Sequence, residues 1–131
     1  MKQAEFKPGF RMSILDSFVM LSGIAAIIYF GTKKWQVGFV IGFAVVHFFL
    51  FCNVFRIQRK PELIWAGIFI ALVSATVVLG NPTWLITGAL SISTSAIFIF
   101  LEFRKPSYHG IFWRKFNPEL ENWWNSEINR K

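Results

Sequence analysis

Four long apolar runs, separated by short polar links, dominate the pattern of hydrophobic and polar positions along this chain. Each run is almost free of formal charge and long enough to cross the hydrocarbon core of a bilayer as a helix. We therefore predict transmembrane helices over about residues 13–30, 37–55, 62–79 and 84–101. Because short links make neighbouring helices antiparallel, the predicted fold is all-α. It is an up-down-up-down bundle of four transmembrane helices in residues 1–106, followed by a tail in residues 107–131.

Local signals at the helix ends agree with this division. Ser13 and Asp16 have the spacing of a capping box at the start of the first helix. Pro61 suits the first turn of the third helix, and Asn81 and Pro82 are predicted to cap and begin the fourth.

The composition supports insertion in lipid rather than a water-soluble fold. Hydrophobic residues make up 54% of the chain and charged residues 16%, whereas a soluble domain has roughly 25% charged residues. The single cysteine excludes an intramolecular disulfide and a multi-cysteine metal site within one chain. The net charge of +7 comes from residues that flank the apolar runs. We therefore expect contacts with anionic lipid headgroups and no binding of nucleic acid.

The basic residues also predict the orientation in the membrane. Of the 14 Lys and Arg residues, all but Lys33 and Lys34 lie on the side that carries both termini and the second-to-third link. The positive-inside rule then places both termini in the cytoplasm, and we expect a bacterial inner membrane. Trp35 and Trp84 should lie at the outer interface and Trp65 at the inner one.

The tail is predicted to contain a short amphipathic helix on the cytoplasmic side. Asn117 is its predicted N-cap and is followed by proline at the first helical position. Trp113, Trp123 and Trp124 give the tail an aromatic face. This face is typical of a segment lying among lipid headgroups, and docking on a partner protein is the alternative.

His47 is the only histidine within an apolar run. An ionisable residue inside the membrane is a functional candidate because leaving it unsatisfied in hydrocarbon is costly. We expect a neutral imidazole bonded to a hydroxyl group of a neighbouring helix. Two further hypotheses are a proton relay or transport role, and ligation of haem or another metal.

Other polar residues cluster where the second and fourth helices end. Cys52, Asn53 and Arg56 are spaced to share one helix face near the cytoplasmic interface. Glu102 is predicted at the same depth and is a candidate ion-pair partner for Arg56. The alternative for Arg56 is a side chain that reaches the interface without a specific partner.

Small and hydroxylated residues indicate how the helices pack. Gly38 and Gly42 form a Gly-x-x-x-Gly motif that permits close approach of another helix. A polar stripe on the fourth helix is predicted to face a groove of small residues on the third and to cross-link the two by hydroxyl bonds. The stripe is Thr87, Ser91 and Thr94, and the groove is Gly67, Ala71 and Ser74.

The sequence contains no pattern typical of a catalytic triad, a phosphate-binding loop or a paired-histidine metal site. We therefore expect a non-enzymatic protein without a bound cofactor, most simply an accessory or scaffold subunit of a membrane assembly. Association with a copy of itself or with a larger membrane protein is expected, because four short helices bury little surface in one another. The first alternative is a small homo-oligomeric transporter or flippase for a lipid-like substrate, using His47 and the polar stripe. The second is a haem- or quinone-binding redox subunit.

Overall fold

The structure, a computed structural model, describes residues 5–130. Four helices in it are long and apolar enough to cross a membrane. They run antiparallel in succession, which confirms the predicted all-α architecture and indicates a multi-pass membrane protein. Lys2 and Lys131, which contribute to the predicted charge asymmetry, lie outside the described residues. The helices are α1 (Ile14–Gly31), α2 (Trp35–Phe49, continued by a π-helical turn over Leu50–Val54), α3 (Arg59–Leu79) and α4 (Trp84–Phe103).

The ends of the helices follow some of the local signals and not others. The capping box is confirmed, since Ser13 N donates to Asp16 Oδ2 (2.8 Å) and Asp16 N donates to Ser13 Oγ (3.1 Å). The predicted cap at Asn81 is wrong, because α4 begins at Trp84 with Thr83 in the N-cap position. Helix α3 ends at Leu79 and is capped by Gly80, whose φ of 67° is readily adopted only by glycine.

Helices α1 and α2 form the tightest pair. A Cβ added to Gly38 would lie 2.7 Å from Gly31 Cα, and one added to Gly42 would be in ordinary contact with Ile27. In the middle of α1, a Cβ added to Gly23 would lie 2.8 Å from Val45 Cγ2 of α2. The close approach predicted from Gly38 and Gly42 is therefore confirmed, and its partner is α1.

Helices α3 and α4 are joined by hydrogen bonds. Thr76 Oγ1 and Thr87 Oγ1 lie 2.6 Å apart, and Trp65 Nε1 donates to Ser91 O (3.1 Å). Because Thr76 also lies 2.9 Å from Leu72 O, which can only accept, Thr76 donates there and Thr87 donates to Thr76.

The polar stripe and the groove need correction. The buried hydroxyls of α4 are Thr87, Ser91 and Ser95, whereas Thr94 is only half-buried and bonds to Leu90 O. The small-residue groove was placed on the wrong side of α3, since a Cβ at Gly67 would meet nothing within 4 Å. Ala71 and Ser74 are likewise exposed, and the large side chains Trp65 and Phe69 face the bundle instead.

The tail folds back onto the end of the bundle where α1 begins and α4 ends. It contains α5 (Trp113–Phe116) and α6 (Leu120–Arg130). Ile111 N donates to Val54 O (2.8 Å), and His109 O accepts from Gly9 N (2.7 Å). We call the layer formed by residues 5–12, 55–58 and 104–130 the terminal cap.

The predicted N-cap role of Asn117 is wrong. Helix α6 begins three residues later, at Leu120. The Asn117 amide instead donates to Pro106 O (2.7 Å) and Tyr108 O (3.1 Å). These bonds hold the turn that leads out of α4, while the buried Tyr108 and Leu120 side chains fill the interior of the terminal cap.

Candidate functional site: the His47 groove and the terminal cap

His47 is enclosed by aromatic rings in the middle of the bundle. Its imidazole stacks on Trp65 with a centroid distance of 4.2 Å and an interplanar angle of 14°. Phe43 and Phe69 form a second stacked pair beside this one, with a centroid distance of 5.6 Å and an angle of 11°. Phe43 lies 5.2 Å from His47, and Phe69 lies 5.2 Å from Trp65. Positions four apart share a helix face. Helices α2 and α3 therefore each contribute two of these four nearly parallel rings.

The hydrogen bond of His47 determines its tautomer. Nδ1 lies 2.8 Å from Phe43 O, and a carbonyl oxygen only accepts. Nδ1 therefore carries the proton, and in the neutral ring Nε2 carries a lone pair. The predicted bond to a hydroxyl of a neighbouring helix is wrong, because the partner is a backbone carbonyl of α2 itself.

Trp65 also departs from its predicted place. It was expected in the aromatic belt at the inner interface, but it is 5% exposed and lies beneath His47. Its indole N–H is satisfied by Ser91 O of α4. Trp65 therefore fixes the position of His47 relative to α3 and α4.

His47 forms part of the wall of an apolar groove of about 470 Å³ between α2 and α4. We call it the His47 groove. Apart from His47, its one polar side chain is Ser95, whose hydroxyl donates to Ser91 O (2.8 Å). The His47 and Ser95 side chains thus use their protons within the protein, and any further hydrogen bond that they make must be one that they accept. The groove is lined by Gly42, Phe43, Val46, His47, Leu50, Ile92, Ser95, Ala96 and Ile99.

Cys52, Asn53 and Arg56 do not share one helix face, contrary to the prediction. The regular helix ends in the π-helical turn, and Arg56 has a left-handed backbone with φ of 49°. Cys52 Sγ therefore points to Glu62 of α3 (3.4 Å). Arg56 Nη1 instead donates to Lys7 O (2.6 Å) in the terminal cap.

Asn53 ties the end of α2 to the beginning of α1. Its side chain is 2% exposed. In the amide orientation that satisfies its neighbours, its nitrogen donates to Arg11 O (2.8 Å) and to Asp16 Oδ2 (2.9 Å). Asn53 is therefore a structural link between the two helices.

Glu102 does not pair with Arg56, contrary to the prediction. Its carboxylate is buried at the end of α4 and bonds to Lys105 Nζ (2.7 Å), three residues along the chain. The nearby Tyr108 hydroxyl donates to Ile111 O (2.8 Å). Burial, aided by the negative charge of Glu102, raises the pKa of Tyr108 to about 12.

The tryptophans of the tail make contacts within the chain. Trp113 and Trp124 both pack against Phe6, with centroid distances of 5.9 and 5.6 Å. Trp123 is half-buried. Contact of this aromatic face with lipid or with a partner protein stays a prediction.

Sequence reasoning singled out His47 but missed the rings around it. The available signal was a pair of aromatic residues four apart on each of two successive helices, at Phe43 and His47 and at Trp65 and Phe69. Among residues 5–130, no three His, Cys, Asp or Glu side chains are grouped closely enough to hold a metal ion. Comparison with family models, with curated proteins and with solved structures finds no match for this chain.

Proposed function

We propose that this protein is a small non-enzymatic transporter or flippase that binds a lipid-like molecule in the His47 groove. The observation that carries the proposal is a buried histidine beside an apolar groove, with one ring nitrogen still available for a hydrogen bond. The volume of the groove, about 470 Å³, falls within the range of small-molecule sites, roughly 300–1,000 Å³. The charge asymmetry further supports a location in the bacterial inner membrane with both termini in the cytoplasm.

The lone pairs of His47 and Ser95 define the chemistry of the ligand. Because both side chains already donate their protons within the protein, a ligand that bonds to either of them must bring a hydrogen-bond donor. The remaining walls are apolar. The best fit is a hydrophobic molecule with a hydroxyl group, entering sideways from the bilayer.

A pair of matched substitutions tests this proposal. Ala96→Trp fills the groove, whereas Ala71→Trp makes the same change on the exposed side of α3. After extraction in mild detergent, mass spectrometry should find a hydroxyl-bearing lipid with the wild type and Ala71→Trp, and little with Ala96→Trp. Flux of a fluorescent analogue of that lipid across proteoliposomes should follow the same order. Equal lipid content and flux in all three proteins would contradict the proposal.

The second candidate function is an accessory subunit of a membrane assembly. It is favoured by the exposure of α1, which packs tightly on α2 and leaves large apolar side chains uncovered, including Ile14 (92% exposed) and Phe18 (68%). A partner helix would cover this face. If Ala96→Trp transports normally while Phe18→Trp releases a co-purifying membrane protein, the accessory function replaces the transporter.

A redox role would depend on His47 Nε2 as an axial ligand, and its test is separate. A Soret band in the purified protein would assign haem, and its absence after expression with added haem would remove that hypothesis.

A further inference from the structure

A second cavity, of about 520 Å³, lies within the terminal cap. Its walls combine basic side chains with aromatic and apolar ones, unlike the almost wholly apolar His47 groove. The basic groups are Lys7, Arg11, Arg56 and His109. The apolar part of the wall includes Phe6, Phe10, Met12 and Trp124.

Arg11 and Arg56 bring two like charges into this cavity without a direct counter-ion. Among residues 5–130, no carboxylate lies within 4.0 Å of either guanidinium. Glu5, the acidic residue of the cavity wall, is paired with Lys7 at 2.7 Å. Asp16 acts on Arg11 at longer range, but its carboxylate already accepts bonds from Ser13 and Asn53. Burial and the charge of Arg11 both lower the pKa of Arg56.

The backbone holds Arg56 in this place despite an unfavourable conformation. A left-handed φ of 49° is uncommon for a residue other than glycine and indicates a position fixed by its surroundings. The bond from Arg56 Nη1 to Lys7 O fixes one side of the guanidinium. The other nitrogens of its planar fork can bind an anion, for which phosphate geometry is well suited.

The cavity lies next to the exposed apolar residues at the start of α1. Phe10 (54% exposed) and Met12 (52%) belong to its wall, and Ile14 (92%) begins the helix immediately afterwards. A lipid bound here would therefore place its anionic headgroup at the two arginines and its acyl chains beside these apolar side chains. We propose that Arg11 and Arg56 bind the phosphate of an anionic glycerophospholipid headgroup at the membrane surface.

Binding to the full-length protein in detergent tests this site. Mixed micelles containing phosphatidylglycerol, phosphatidylcholine or no phospholipid are titrated by microscale thermophoresis, with inorganic phosphate as a separate ligand. The expected result is saturable binding of phosphatidylglycerol, weakened about tenfold or more by Arg56→Gln and by Arg11→Gln, because each removes a charge-assisted contact. Arg104→Gln, which changes an exposed arginine stacked on Phe100, is the matched control and should bind normally.

The outcomes separate the alternatives. Arg56→Gln removes the bond to Lys7 O and could disturb the turn after α2. Arg11→Gln keeps the test decisive in that case, because no hydrogen bond or ion pair joins the Arg11 side chain to another of residues 5–130. Tight binding of inorganic phosphate alone would show that the ligand of this site is a soluble anion and would contradict the assignment of a lipid. If phosphatidylcholine bound as tightly as phosphatidylglycerol, or if Arg104→Gln lost as much affinity as Arg11→Gln and Arg56→Gln, the proposed site at Arg11 and Arg56 would be refuted.

Discussion

Replacement of Gly38 by alanine probes the closest contact in the bundle. The added Cβ would lie 2.7 Å from Gly31 Cα, 3.3 Å from Gly31 N and 3.4 Å from Ile27 O. All three are backbone atoms, so no side chain can rotate away and the two helices must separate. Gly67→Ala is the matched control, because a Cβ there would meet nothing within 4 Å.

The size of the effect follows from the difference between the two variants. Both change glycine to alanine within a helix, so the gain in helix propensity, about 1 kcal/mol at most, applies to each and cancels. Overpacking of a close contact typically costs about 1–3 kcal/mol. We therefore expect Gly38→Ala to be less stable than Gly67→Ala by about 1–3 kcal/mol, or about five- to 150-fold in the unfolding equilibrium constant.

The assay is reversible unfolding in mixed micelles of increasing dodecyl sulfate content, followed by circular dichroism and tryptophan fluorescence. The midpoint should fall for Gly38→Ala and should stay unchanged or rise for Gly67→Ala. Equal midpoints for the two variants would refute the close packing of α1 on α2.

Two further predictions concern α4 and the terminal cap. Thr87→Val removes the hydroxyl bond to Thr76. It should lower the unfolding free energy by about 0.6 kcal/mol, the average for such bonds between membrane helices. Thr94→Val should have a smaller effect, because the Thr94 hydroxyl bonds within its own helix. For Tyr108, a pKa raised to about 12 means that the neutral phenol is favoured in the folded state. Its contribution to stability is complete below the unfolded pKa of about 10 and is lost as the pH rises through 12. Ultraviolet titration should show one tyrosine ionising near pH 12, and Tyr108→Phe should abolish that step; a midpoint near 10 would contradict its burial.

Much of the fold could be predicted because membrane insertion depends on local properties. Hydropathy located the four helices, and the Ser13–Asp16 capping box depends on residues three apart. The side of each helix that is packed was harder to predict, because a helix that is apolar all round has no polar face to mark its exposed side. This is why the groove assigned to Gly67 lies outside the bundle, and why Trp65, expected at the interface, is buried.

The candidate site was predictable only in part, for a related reason. A lone histidine in an apolar run is recognisable from the sequence. Its stacking partner Trp65 lies on another helix, and the sequence does not specify the rotation of that helix about its axis. Ser95 replaces Thr94 in the buried stripe because the two adjacent positions are separated by about 100° around the helix. The helix ends with the π-helical turn at Leu50–Val54 and Arg56 has a left-handed backbone, so helical i+3 and i+4 spacing does not apply at Arg56.

The contact of Phe6 with Trp113 and Trp124 has a consequence for biosynthesis. Phe6 precedes the four long helices in the chain, whereas Trp113 and Trp124 follow them, so all four hydrophobic segments are translated between the two sides of this contact. Phe6 can therefore meet its aromatic partners only after the tail has been translated. A chain interrupted just after α4 would leave the Phe6 ring without both of these contacts.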